Sequence, residues 1–118
     1  MTRIVFLLLC SIGIPFKPCA QSYSISKTAK RIIFLGNSIT YDGRYIEFID
    51  AYFSIHHPDK EYEIINVGLP SETVSGLSEP NHAQGRFPRP ALQERLERVI
   101  QQMKPDLVFT CYGMNDGI

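Results

Sequence analysis

A hydroxyl, an unshielded backbone N–H and a carboxamide recur at matching places along this chain. Ser38 lies in Gly36-Asn37-Ser38-Ile39-Thr40, Gly68 follows Ile64-Ile65-Asn66-Val67, and Asn115 lies in Gly113-Met114-Asn115-Asp116. Acyl transfer needs these types: a nucleophile, and hydrogen-bond donors aimed where negative charge develops on the carbonyl oxygen. Glycine lets the backbone approach closely because it has no side chain, and an asparagine amide donates without exchanging a proton. Singly, each group also reads as a plain turn: Gly-Asn-Ser after a strand, a glycine that ends a strand, and the tight turn Asn115-Asp116-Gly117. The chemical reading comes from their recurrence at the ends of successive apolar runs.

Those runs must be the elements that position the groups. Arg31–Leu35 is a short, isoleucine-rich stretch stopped by a glycine, which reads as a strand buried on both faces. Tyr62–Val67 and Leu107–Tyr112 read as the second and third strands. A helix is expected from about Arg44 to Ile55, with Tyr45, Ile46, Ile49, Tyr52 and Phe53 inward and Glu47 and Asp50 outward. A second is expected over about Ala91–Met103, with the stripe Leu92, Leu96, Val99, Ile100 and Met103. Between them, Leu69–Pro90 is a long loop with four prolines, in which Ser71 is expected to cap a short turn through Val74. The order β-α-β-α-β, with crossovers long enough for helices, implies an α/β fold with a parallel, doubly wound sheet. Such sheets place ligands beyond the C-terminal ends of their strands, where Ser38, Gly68 and Asn115 would converge.

The chain has 118 residues and no net formal charge, which suits one small domain and gives no electrostatic case for a nucleic-acid partner. Residues 1–20 read as a secretory signal peptide: Arg3, then the apolar run from Ile4 to Cys10, then a small-residue cleavage point at Ala20-Gln21. A secreted or periplasmic location is expected. No stable membrane insertion is expected after cleavage, because the run is interrupted by Ser11, Gly13 and Pro15 and is too short to span a bilayer. A lipoprotein signal is the weaker reading, since neither Leu9-Cys10 nor Pro18-Cys19 offers a small residue before the cysteine. Residues 21–30 form a polar linker and 31–118 the domain. Cys111 alone stays in the mature chain and reads as a buried small hydrophobe. No metal or other cofactor is implied, because no histidine or cysteine cluster has ligand spacing.

Taken in order, these blocks resemble the SGNH, or GDSL-type, hydrolase family over about residues 31–118. Gly36-Asn37-Ser38-Ile39-Thr40 is similar to its first block, with Asn37 where many members carry aspartate; Gly68 matches its glycine block and Gly113-Met114-Asn115-Asp116 its Gly-x-Asn-Asp block. The resemblance implies a flavodoxin-like three-layer α/β/α sandwich, here truncated after the third strand. It implies that Ser38 is the nucleophile, and that its own N–H, the Gly68 N–H and the Asn115 side chain form the oxyanion hole. It also implies hydrolysis of a carboxylic ester, an O-acetylated sugar first among substrates, through an acyl-enzyme.

The family takes its catalytic histidine from a C-terminal Asp-x-x-His block, and this sequence has none. The expectation is an N-terminal portion of a longer hydrolase, with strand three on an open edge, and poor solubility or inactivity when made alone. His56-His57 ends the first helix, toward the opposite edge of the sheet. His82 lies on the correct edge but lacks the Asp-x-x-His spacing, and reads as pocket lining or a solvated side chain rather than a base. Asp42, Arg44, Ser71, Glu72, Arg86 and Asp116 are further polar residues near the edge, each solvated or capping; Arg44 and Arg86 are candidate contacts for an anionic or carbohydrate substrate, and Asp116 is expected to fix the Asn115 turn. The alternative function is a non-catalytic module that binds a sugar or small ligand at the same edge. A nucleotide-phosphate loop is excluded, since neither G-x-G-x-x-G nor a G-K-[ST] ending is present.

Overall fold

The isoleucine-rich run forms the centre of the domain. In the computed structural model, which describes residues 28–117, β1 spans Arg31–Gly36 and lies between two parallel neighbours, β2 (Glu63–Asn66) and β3 (Leu107–Cys111), in the order β2-β1-β3. The register pairs Ile32 with Ile64 on one side and with Leu107 on the other. The expected signal peptide of residues 1–20 and residues 21–27 of the expected linker lie outside the described residues.

Alternation along β1 divides the core into two parts. Ile32 and Phe34 point to one face, where Ile46 and Phe53 of α2 (Arg44–His56) cover them. Ile33 and Leu35 point to the other, against Val99 of α3 (Leu96–Met103). All four β1 residues are fully buried, as the reading of a strand covered on both faces requires. Phe34 also stacks on Phe109 of β3, with ring centroids 4.9 Å apart.

A short helix, α1 (Ser38–Asp42), precedes α2. Asn37 caps it: its side-chain oxygen accepts the Ile39 N–H at 3.1 Å, while its carbonyl accepts Tyr41 N–H. Gly43 separates the two helices with φ of +81°, a left-handed conformation that favours glycine.

The helical stripes differ from expectation in detail. Tyr52 is exposed and packs on His56 rather than on the core. Leu96 and Ile100 of α3 are more than a third exposed. Cys111 is half-buried rather than buried, because β3 forms an edge of the sheet among the described residues. The second helix does not run unbroken from Ala91: Leu92–Glu94 is a 3₁₀ turn, and Arg95, at φ −127°, leaves helical geometry before α3 begins. Ser71 caps no helical turn. It has φ of +66°, and Thr73 instead makes an isolated parallel bridge to Ala91. That bridge holds the 69–90 loop against the chain entering α3, through Thr73 N–H to the Pro90 carbonyl and Leu92 N–H to the Thr73 carbonyl. Among the described residues no helix is long and apolar enough to cross a membrane.

Candidate functional site

The three parallel strands deliver their following turns to one edge of the sheet. Ser38 opens α1 two residues beyond β1, is exposed, and its hydroxyl has no hydrogen-bond partner among the described residues. Gly68 lies two residues beyond β2, and Asn115 begins a 3₁₀ turn beyond β3.

Gly68 packs directly against the helix that carries Ser38. A Cβ built on Gly68 would lie 2.3 Å from Tyr41 N and 2.7 Å from the Thr40 carbonyl carbon, so only a glycine backbone fits there. The side chain of Asn66, unremarked in the sequence, fastens this contact. Its amide donates to the Thr40 carbonyl at 2.7 Å, and its oxygen accepts the Gly68 N–H at 2.9 Å. The Gly68 N–H is therefore engaged in this structure, and a ligand oxygen reaches it only by sharing or displacing Asn66. Beneath, the Thr40 hydroxyl is fully buried and hydrogen-bonded with the Tyr45 hydroxyl at 3.0 Å.

Asn115 is tied to the loop that follows Gly68. Its Nδ2 donates to the Glu72 carbonyl at 3.0 Å, which leaves the second amide hydrogen for another acceptor. Asp116 fixes the Asn115 turn, as expected from sequence, with its N–H donating to the Gly113 carbonyl at 3.2 Å, and its side chain does more. Its Oδ1 accepts the Val74 N–H at 2.9 Å and the Ser75 N–H at 2.7 Å, so it clamps the β2 loop to the β3 turn. The backbone bond to Ser75 holds the Asp116 carboxyl below its ordinary pKa. No hydrogen bond joins Ser38 to Gly68 or Asn115. The link runs from Ser38 along α1 to Gly68, then through the 69–75 loop to Asn115.

Glu72, read from sequence as solvated or capping, is fully buried. Arg95 grips it with two short bonds of 2.6 Å, from Nε to Oε1 and from Nη2 to Oε2, and the Tyr112 hydroxyl donates to Oε2 at 2.5 Å. Arg95 Nη2 also donates to the Val67 carbonyl at 2.9 Å. Arg95 leaves the helical path at the residue that makes this grip, which divides the expected helix. The hydrogen bond to Glu72 raises the Arg95 pKa, and burial, with the Glu72 bond second, raises that of Tyr112. Removing one partner of such a buried pair typically costs about 3–5 kcal/mol, because the other charge is left uncompensated.

The remaining candidates lie elsewhere or are occupied. His82 Nδ1 is 3.2 Å from Glu79 Oε1, and its ring packs on Phe87. Arg89 holds both Glu79 oxygens, at 2.7 and 2.9 Å. The Arg89 bond draws the Glu79 pKa down from 4.5 to about 2. Arg44 pairs with Asp42 at 2.6 Å and Arg86 donates to Gln84 at 3.3 Å, so both have internal partners. His56 and His57 end α2, on the side of the sheet where β2 begins. A recess of about 300 Å³ opens beside Asn115, lined by Ser75, Leu77, Ser78, Glu79 and Asp116. Among the described residues no group of three or more His, Cys, Asp or Glu side chains has the geometry to hold a metal ion.

Comparison of the chain with protein-family models, curated proteins and solved structures finds no match.

Proposed function

We propose that this chain carries the nucleophile and oxyanion-binding part of a secreted or periplasmic serine esterase of the SGNH, or GDSL, type, built on a flavodoxin-like α/β/α sandwich. The observation that carries the proposal is the seating of Gly68 against α1: the backbone of the second strand's turn touches the helix that begins with Ser38. Parallel strands on both sides of β1 and the Asn115 turn at the same edge support it.

In this proposal the Ser38 hydroxyl attacks the ester carbonyl carbon while a base takes its proton. The carbonyl oxygen becomes an oxyanion that accepts hydrogen bonds from Ser38 N–H, Gly68 N–H and the free hydrogen of Asn115 Nδ2. Collapse expels the alcohol and leaves Ser38 acylated, and water then releases the acid. By the resemblance to the family the base would be a histidine of an Asp-x-x-His block; His82, held by Glu79, is not assigned that role. The substrate is an acetyl ester of a carbohydrate. The second reading, a sugar-binding relative without turnover, is favoured by one observation: the Gly68 N–H is engaged by the Asn66 side chain at 2.9 Å.

Labelling of the full-length protein with a fluorophosphonate probe tests the proposal. Wild type is expected to label and Ser38→Ala to lose the signal. Equal labelling of both removes Ser38 as nucleophile, and no labelling of either favours the binding module.

A further inference from the structure

The most deeply buried charged side chain in the described domain belongs to none of the groups assigned to acyl transfer. The Glu72 side chain is 0% exposed, yet it touches the supports of both auxiliary oxyanion donors. Toward Gly68, the Glu72 carboxylate holds Arg95, whose Nη2 donates to the carbonyl of Val67, the preceding residue. Toward Asn115, it accepts the hydroxyl of Tyr112 near the end of β3, while its own main-chain carbonyl accepts the Asn115 amide.

We infer that Glu72, gripped by Arg95 and Tyr112, is a positioning residue that sets the distance between the Gly68 N–H and the Asn115 amide. The inference rests on the esterase reading for its catalytic consequence, but its structural content is separate. Stability alone is a poor reason for this arrangement, since a buried ion pair is often no better than apolar side chains of the same volume. The chain also accepts local strain to build it. Ser71, just before Glu72, has φ of +66°, in the left-handed region. What the cluster supplies is geometry. Three chain segments, the loop after β2, the entry to α3 and the turn after β3, meet on one carboxylate. Oxyanion donors act only when held within a few tenths of an ångström of the developing charge, so a residue that fixes two of them governs kcat rather than binding.

The test compares wild type, Tyr112→Phe and Glu72→Gln in the full-length protein. Tyr112→Phe removes one hydroxyl from the cluster, and Glu72→Gln keeps its shape but removes the charge. In both variants the Gly68 amide and the Asn115 side-chain amide are expected to exchange with solvent at least about tenfold faster by NMR, while the amides of Ile32 to Leu35 keep their protection. Hydrolysis of 4-nitrophenyl acetate is expected to show kcat lowered about 10–100-fold with KM within about twofold of wild type. Unchanged exchange at Gly68 and Asn115 overturns the inference, and so does unchanged kcat beside faster exchange. If Glu72→Gln loses protection along β1 it has unfolded, and Tyr112→Phe then decides. A wild type without turnover sinks the esterase reading alone, and the exchange measurement still decides whether Glu72 positions the two amides.

Discussion

Replacing Gly68 by alanine probes the contact on which the candidate site depends. The added methyl would stand 2.3 Å from Tyr41 N and 2.7 Å from both the Thr40 carbonyl carbon and Tyr41 Cα, where ordinary van der Waals contact begins at 3.4 Å. All of these are backbone atoms of α1, so no rotamer change relieves the overlap. Gly68 is not in the left-handed region, and alanine would therefore gain about 0.4–1 kcal/mol by restricting the unfolded chain. Against this stands an overpacking cost of about 1–3 kcal/mol if the loop stays in place. If the loop instead retreats from α1, it strains the Gly68 bond to Asn66 and the Leu69 N–H bond to the Gly36 carbonyl. Each such bond is worth about 0.5–1.5 kcal/mol. Both routes give a net loss of about 1–2 kcal/mol, which in a domain of this size lowers Tm by roughly 5–15 °C. Thermal melts and urea titrations measure it, with Gly117→Ala as the control, because a Cβ at Gly117 meets nothing within 4 Å. A Gly68→Ala protein melting with the control would refute the close seating of the β2 turn on α1, and with it the shared edge.

Phe34→Ala is expected to cost about 3–5 kcal/mol in a urea titration, since Phe34 is buried, stacked on Phe109 and in edge-to-face contact with Tyr45. Glu79 gives a pH signature. Its folded pKa of about 2 lies below the ordinary 4.5, so its stabilising contribution is complete above pH 4.5 and is lost as pH falls toward 2. Limited proteolysis of the 78–89 loop by an acid-active protease is expected to accelerate across that window in wild type, and Glu79→Gln is expected to be cut readily throughout.

The main-chain architecture was readable because it follows from local pattern. Ile32, Ile33, Phe34 and Leu35 form an apolar run without polar alternation, which in a short segment bounded by glycine means a strand covered on both sides, and each is fully buried. Crossovers carrying helical periodicity then require parallel pairing, which the registers show. Ser38, Gly68 and Asn115 stood out because glycine and small polar residues at strand ends are local signals. Asn66 was hidden by its place inside the strand motif: whether an asparagine there faces water or fastens Gly68 to Thr40 depends on a helix more than twenty residues earlier.

Charge partnerships were beyond the sequence for the same reason. Glu72 sits in Pro70-Ser71-Glu72-Thr73, a setting that reads as exposed loop, and its partners are 23 and 40 residues away. Periodicity also favoured one helix from Ala91 to Met103, yet the buried carboxylate pulls Arg95 out of helical geometry and divides it. The sequence by itself determined which segments become strands and that β1 is covered on both faces, because burial of apolar side chains follows short-range pattern. Only the tertiary structure decided which polar groups meet, because a hydrogen bond depends on ångström distances between segments that the linear order leaves far apart.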